Sequence, residues 1–118
     1  MSLGPLLRLE LPCRDPARQR EFYGRVLGLE ATDPMGRFAL GPVELVLRAR
    51  GDALFPQSAR GGGALLGFAV SEEELERWHR RMLTVRAAVM DAPGPGGAPP
   101  RLLRVADPEG NVIELRAA

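Results

Sequence analysis

Few side chains in this chain can do chemistry, and nearly all of them are carboxylates and guanidiniums. Glu114 stands in Val112-Ile113-Glu114-Leu115-Arg116 near the end of the chain, and Glu44 in the similar Val43-Glu44-Leu45-Val46-Leu47-Arg48. Two carboxylates can move a proton or supply oxygen ligands to a divalent ion, and neighbouring arginines can neutralise them or hold an anion. His79 and Cys13 are the only residues of their kinds. His79 falls beside Trp78 on the apolar stripe of an expected helix and reads as a packed residue, while Cys13 falls on the inward face of an expected strand. The run Arg60-Gly61-Gly62-Gly63 lacks the Lys-Ser/Thr and following helix of a phosphate loop, so it reads as linker.

The elements that must position these residues follow from periodicity and punctuation. Alternation predicts a strand over 6–13, with Leu7, Leu9, Leu11 and Cys13 inward and Arg8 and Glu10 outward. Asp15-Pro16 opens a helix, Asp as N-cap and Pro in the first turn. Phe22, Tyr23, Val26 and Leu27 form its stripe, Glu21 is spaced to pair with Arg25, and Gly28 stops it. Three short strands fill 29–50, broken near Asp33-Pro34 to Gly36 and at Gly41-Pro42; in the last, Val43, Leu45 and Leu47 oppose Glu44, Val46 and Arg48.

Residues 51–63 read as a flexible connector. Beyond it come a strand over 64–70 and a helix whose Ser71 and Glu74 make a capping box. Leu75, Trp78, His79, Met82 and Leu83 form that helix's stripe, with Glu73/Arg77 and Glu76/Arg80 spaced for ion pairs. A short strand near 86–90, a breaker-rich exposed loop over 92–100, and strands over 102–106 and 112–116 complete the chain. The last two are joined by Asp107-Pro108-Glu109-Gly110-Asn111, in which Pro presets φ and Gly and Asn tolerate positive φ.

Halves 5–50 and 64–117 thus repeat one plan, strand, helix, then three strands. The expectation is an α+β fold of two βαβββ repeats, a curved mixed sheet with helices on the outer face and a cleft on the other. Alternation aims Arg8, Glu10, Glu44, Val46 and Arg48 of the first half at the cleft. From the second half it aims Leu65, Gly67, Arg104, Glu114 and Arg116.

Composition bounds the partners. At 118 residues the chain suits a single domain able to bury about two-thirds of its unfolded surface. Sixteen basic residues, all of them Arg, against 15 acidic ones give no general nucleic-acid footprint. No apolar run approaches the roughly 20 residues of a membrane span, and no signal sequence opens the chain. A lone Cys excludes a disulfide framework, so the expected location is cytoplasmic.

The stretch from Arg14-Asp15-Pro16 through Glu21-Phe22-Tyr23 to Leu27-Gly28-Leu29 resembles the first helix of the glyoxalase, bleomycin-resistance and extradiol-dioxygenase superfamily, the vicinal oxygen chelate proteins. Asp107-Pro108-Glu109-Gly110-Asn111-Val112-Ile113-Glu114-Leu115 resembles its last hairpin. Metal-dependent members hold a divalent ion with one ligand from the first and one from the fourth strand of each half. The resemblance places Arg8 and Leu65 where a His is usual, and Glu44 and Glu114 at the remaining ligand positions. A guanidinium offers only donors and Leu none, so no metal ligand set is assigned and no cofactor is expected.

Two readings of Arg8 stay open: it bridges Glu44 and Glu114 in place of the metal, or it is a solvated strand residue. The favoured function is a metal-free small-molecule-binding protein like the bleomycin-resistance branch. It would hold a polar or charged ligand on Arg8, Glu10, Glu44, Arg48, Leu65, Arg104 and Glu114. The alternative is a glyoxalase-type lyase or dioxygenase in which a divalent metal polarises the substrate and Glu44 and Glu114 act catalytically. A third reading is a domain for protein association. Relatives of one domain usually pair, so a homodimer is expected.

Overall fold

The computed structural model of the chain describes residues 1–49, 51 and 63–117. Of the connector expected over 51–63, only Gly51 and Gly63 belong to the described residues. The fold is α+β and repeats βαβββ in two compact units, Met1–Gly61 and Gly62–Ala118.

In the first unit β1 (Arg8–Cys13) leads to α1 (Pro16–Glu21), started by the Asp15 side chain accepting from the Arg18 N–H at 3.2 Å. The helix then widens into a π-turn over Phe22–Val26, and Gly28 ends it at φ +73°. The wider turn brings Phe22 and Tyr23 edge to face at 5.3 Å, both buried, and Glu21 meets Arg25 at 2.5 Å on the outside. Strands β2 (Ala31–Asp33), β3 (Arg37–Leu40) and β4 (Val43–Ala49) complete a sheet of order β1-β4-β3-β2, with β1 parallel to β4. Leu11, Cys13, Phe38, Leu45 and Leu47 fill its core. Leu7, expected inside, is 74% exposed; it precedes the first ladder pair and contributes only its carbonyl, to the Glu44 N–H at 3.0 Å.

In the second unit β5 (Leu65–Val70) feeds α2 (Glu72–Thr84) through the expected capping box, in which the Glu74 N–H donates to Ser71 Oγ at 3.1 Å. Leu75 and Met82 are fully buried, Trp78 and His79 half-buried. Leu83, expected on the stripe, is exposed, because it lies about 80° around the helix from Leu75. The pairs expected for Glu73/Arg77 and Glu76/Arg80 are not among the ion pairs between described residues; these long exposed side chains gain too little to be held together. Strands β6 (Ala88–Asp91), β7 (Leu102–Ala106) and β8 (Val112–Ala117) give order β5-β8-β7-β6, with β5 parallel to β8 and α2 packed on β6, β7 and β8. The 92–100 loop is less irregular than its composition suggests. It contains a 3-10 turn, Pro95–Gly97, and is closed by the Gly94 N–H donating to the Pro100 carbonyl at 3.1 Å.

The β7–β8 hairpin is tied from within. Asp107 accepts at one carboxylate oxygen from the Glu109 and Asn111 N–H groups, both at 2.9 Å, and at the other from the Asn111 side-chain amide at 3.0 Å. The Asn111 side-chain oxygen in turn accepts from the Ala64 N–H at 3.3 Å, linking the turn to the start of β5. Both residues are buried. Asn111 is thus placed by hydrogen bonding, whereas positive φ falls on Gly110 alone in this turn. No helix among the described residues is long and apolar enough to cross a membrane.

Candidate functional site

Each unit packs its helix on one sheet face and lays charged side chains along the other. In the first unit Arg8 and Glu10 of β1 point the same way as Glu44 and Arg48 of β4, with Arg8 beside Glu44 and Glu10 beside Val46 in the parallel ladder. Arg8 does not turn to Glu44. Its Nε donates to Glu10 at 2.8 Å, and Arg48 Nε donates to the other oxygen of the same carboxylate. The hydrogen bond from Arg48 is the main cause holding the Glu10 carboxyl below the usual carboxylate range; burial opposes it and Arg8 adds to it. Glu44 is held by a residue that the sequence reading did not single out. Arg37 of β3 donates from Nη1 to Glu44 at 2.6 Å, while its Nε lies 3.3 Å from Asp33 of β2.

The second unit repeats that motif. Arg104 of β7 stands directly opposite Glu114 of β8 and donates to it from Nε at 2.9 Å, while its Nη1 donates to Asp91 of β6 at 3.1 Å. The two acids raise the Arg104 pKa above its ordinary value, Asp91 first and Glu114 second. Glu114 is only 14% exposed, and Arg116 approaches its second oxygen at 3.5 Å. The Arg104 hydrogen bond is the main cause lowering the Glu114 pKa, against burial and with help from Arg116.

Beside Glu114 on β5 stands Gly67, where a Cβ would still lie 3.8 Å from the nearest Glu114 oxygen. An open pocket of about 260 Å³ lies here, lined by Gly67, Phe68, Ala69, Glu114 and Arg116. Leu65, the expected neighbour of the site, pairs instead with Val112 and is exposed, one step further along the same face.

These donors are short of what a divalent ion needs. Among the described residues no three His, Cys, Asp or Glu side chains gather, Arg8 can only donate, and neither Leu65 nor Gly67 carries a side-chain donor atom. Glu44 and Glu114 are each engaged by an arginine of their own unit. His79 lies on the helix stripe and Cys13 is in the core, away from the charged face, as expected of packed residues.

The motif that sequence reasoning missed is Asp33–Arg37 and its counterpart Asp91–Arg104. Arg37 and Arg104 carry the outward parity legible in their strands. The aspartates do not, because a register shift between Ala31 and Asp33, and again between Val89 and Asp91, brings each to the arginine's face.

This chain belongs to the Glyoxalase/Bleomycin resistance protein/Dioxygenase superfamily, whose profile it matches over residues 6–115. Solved structures share the fold along the whole chain. An integron cassette protein from the mobile metagenome of Vibrio cholerae is 26% identical, with a TM-score of 0.75 over 99% of this chain and 97% of its own. Lactoylglutathione lyase from Agrobacterium tumefaciens is 21% identical, with a TM-score of 0.73 over 100% and 96% of the two chains. TioX from a Micromonospora species is 22% identical, with a TM-score of 0.69 over 97% and 98%. Among curated proteins none matches the chain.

Proposed function

We propose that this protein binds a small polar or charged molecule on its charged sheet face and does so without a metal ion. The observation that carries this reading is the cavity beside Gly67, whose walls join an apolar floor at Phe68 and Ala69 to a charged pair, Glu114 and Arg116. Arg116 is half exposed and keeps its terminal N–H donors for a ligand, while the Arg104 hydrogen bond keeps Glu114 ordered and ionised against the opposing effect of burial. The lack of a plausible metal donor set at Arg8, Glu44, Leu65 and Glu114 supports metal independence.

The test is thermal stability in chelator against a panel of small organic acids and amines. Stabilisation that survives chelation and disappears in Arg116→Ala supports the reading; stabilisation seen only with nickel, zinc or manganese present defeats it. The second reading, a glyoxalase-type lyase or dioxygenase using Glu44 and Glu114, draws on the fold shared with lactoylglutathione lyase and would gain from that second outcome. A cytoplasmic homodimer completes the proposal. It draws on the single buried Cys13 and on the habit of one-domain members of the superfamily to pair; a monomeric mass at high micromolar concentration would exclude the dimer.

A further inference from the structure

Both units place an arginine between two carboxylates. Asp33 and Glu44 flank Arg37 at 3.3 and 2.6 Å, and Asp91 and Glu114 flank Arg104 at 3.1 and 2.9 Å. The arrangement is built the same way twice. In each unit the arginine lies on the strand that precedes the glutamate strand, and the aspartate comes from the strand before that, turned onto the same face by a register shift one residue upstream. A register shift of this kind re-aims a side chain at the expense of a ladder hydrogen bond, so finding one at the same place in both units points to what it aims.

The glutamates are reached differently. Arg104 faces Glu114 directly, whereas Arg37 faces Val46 and reaches Glu44 diagonally. Two routes to one acid–arginine–acid arrangement argue that the arrangement itself is what the two sheets have in common.

We propose that Arg37 and Arg104 are resident cations: each guanidinium fills a two-carboxylate site that, without it, would bind a free cation. The inference builds on the metal-independent reading above and gives its physical cause. Removing Arg37 leaves Asp33 and Glu44 without the base between them, and removing Arg104 leaves Asp91 and Glu114 with Arg116 alone, 3.5 Å from the second Glu114 oxygen, so each cluster loses one positive charge. Each acid pair regains balance by taking up a cation from solution. Guanidinium ion restores the lost fork geometry, whereas manganese tests the site as an oxygen-donor pair.

The experiment follows thermal unfolding of wild type, Arg104→Ala and Arg37→Ala with tens of millimolar guanidinium chloride, sodium chloride or manganese chloride. The expected result is that guanidinium, and to a lesser degree manganese, raises the Tm of each variant by about 2 °C or more over sodium. Wild type is not raised, and adding Asp91→Asn to Arg104→Ala abolishes the gain. Should Arg104→Ala fail to fold, Arg37→Ala carries the same test at the more exposed Glu44. Equal responses in wild type and variants, or no cation response in a folded variant, overturn the inference. Its failure is distinct from that of the functional reading: loss of organic-ligand binding in chelator touches only the latter, and absence of guanidinium rescue touches only the former.

Discussion

The two units make opposite choices at one level of the sheet. Matching them by their shifted strands sets Arg37 level with Arg104, and hence Val46 with Glu114 and Glu10 with Gly67. In the first unit the outer strand β1 carries the acid and β4 carries a buried Val46. In the second the acid has moved to β8 and β5 carries no side chain at all. Glu10 is pinned by Arg48 and Arg8, Glu114 by Arg104 and Arg116, so each unit keeps one well-buried, doubly paired carboxylate. In the second, a pocket lies beside that carboxylate. One repeated plan thus sets the acid on different strands in the two units, and in the second a pocket lies next to Gly67, with no change in topology.

The largest expected effect separates the anchoring of the two acids. Asp107→Ala removes three hydrogen bonds from a buried turn and leaves Asn111 short of partners, at a cost of about 3 kcal/mol. Urea unfolding should record this loss, and amide exchange should rise in 102–117 while 37–49 stays protected. A uniform rise across both units would break the contrast.

The next effect fills the cavity. Gly67→Leu puts a side chain where the first unit already has one, without backbone strain, since Gly67 needs no positive φ. Ligand-induced stabilisation should weaken by about tenfold or more while the free protein keeps its stability within roughly 1 kcal/mol. Unchanged ligand stabilisation would move the binding site elsewhere.

The smallest effect concerns pH and sharpens the likeness between Glu10 and Glu114. Both have folded pKa values below the ordinary value of 4.5, so the folded state binds fewer protons than the unfolded one as pH falls. Their contribution is present above that value and is lost as pH drops through the lowered folded values. Glu10→Gln and Glu114→Gln should each flatten the acid limb of a stability–pH profile by a similar amount. A response in one and not the other would mean that the two clusters are not equivalent.

Much of this was legible in the chain itself. Asp15-Pro16, Gly28 and the Ser71/Glu74 box write helix ends through local hydrogen bonds and φ preferences, and strand alternation assigns Arg8, Glu10, Glu44, Arg48, Arg104 and Glu114 to the charged face. The partners of these charges were not legible. Proximity to Glu44 made Arg8 a natural bridge, yet its guanidinium goes to Glu10, since a long side chain chooses among several acids within reach.

The sequence by itself determined the two-repeat α+β plan, the faces of its strands and the family to which the chain belongs, because these rest on period, capping and turn chemistry within a few residues of each other. Only the tertiary structure decided that Asp33 and Asp91 join the charged face, that Arg37 and Arg104 bind the two glutamates, and that a pocket lies next to Gly67. Those outcomes depend on register between strands distant in sequence, and a shift of one residue exchanges the faces of every side chain beyond it.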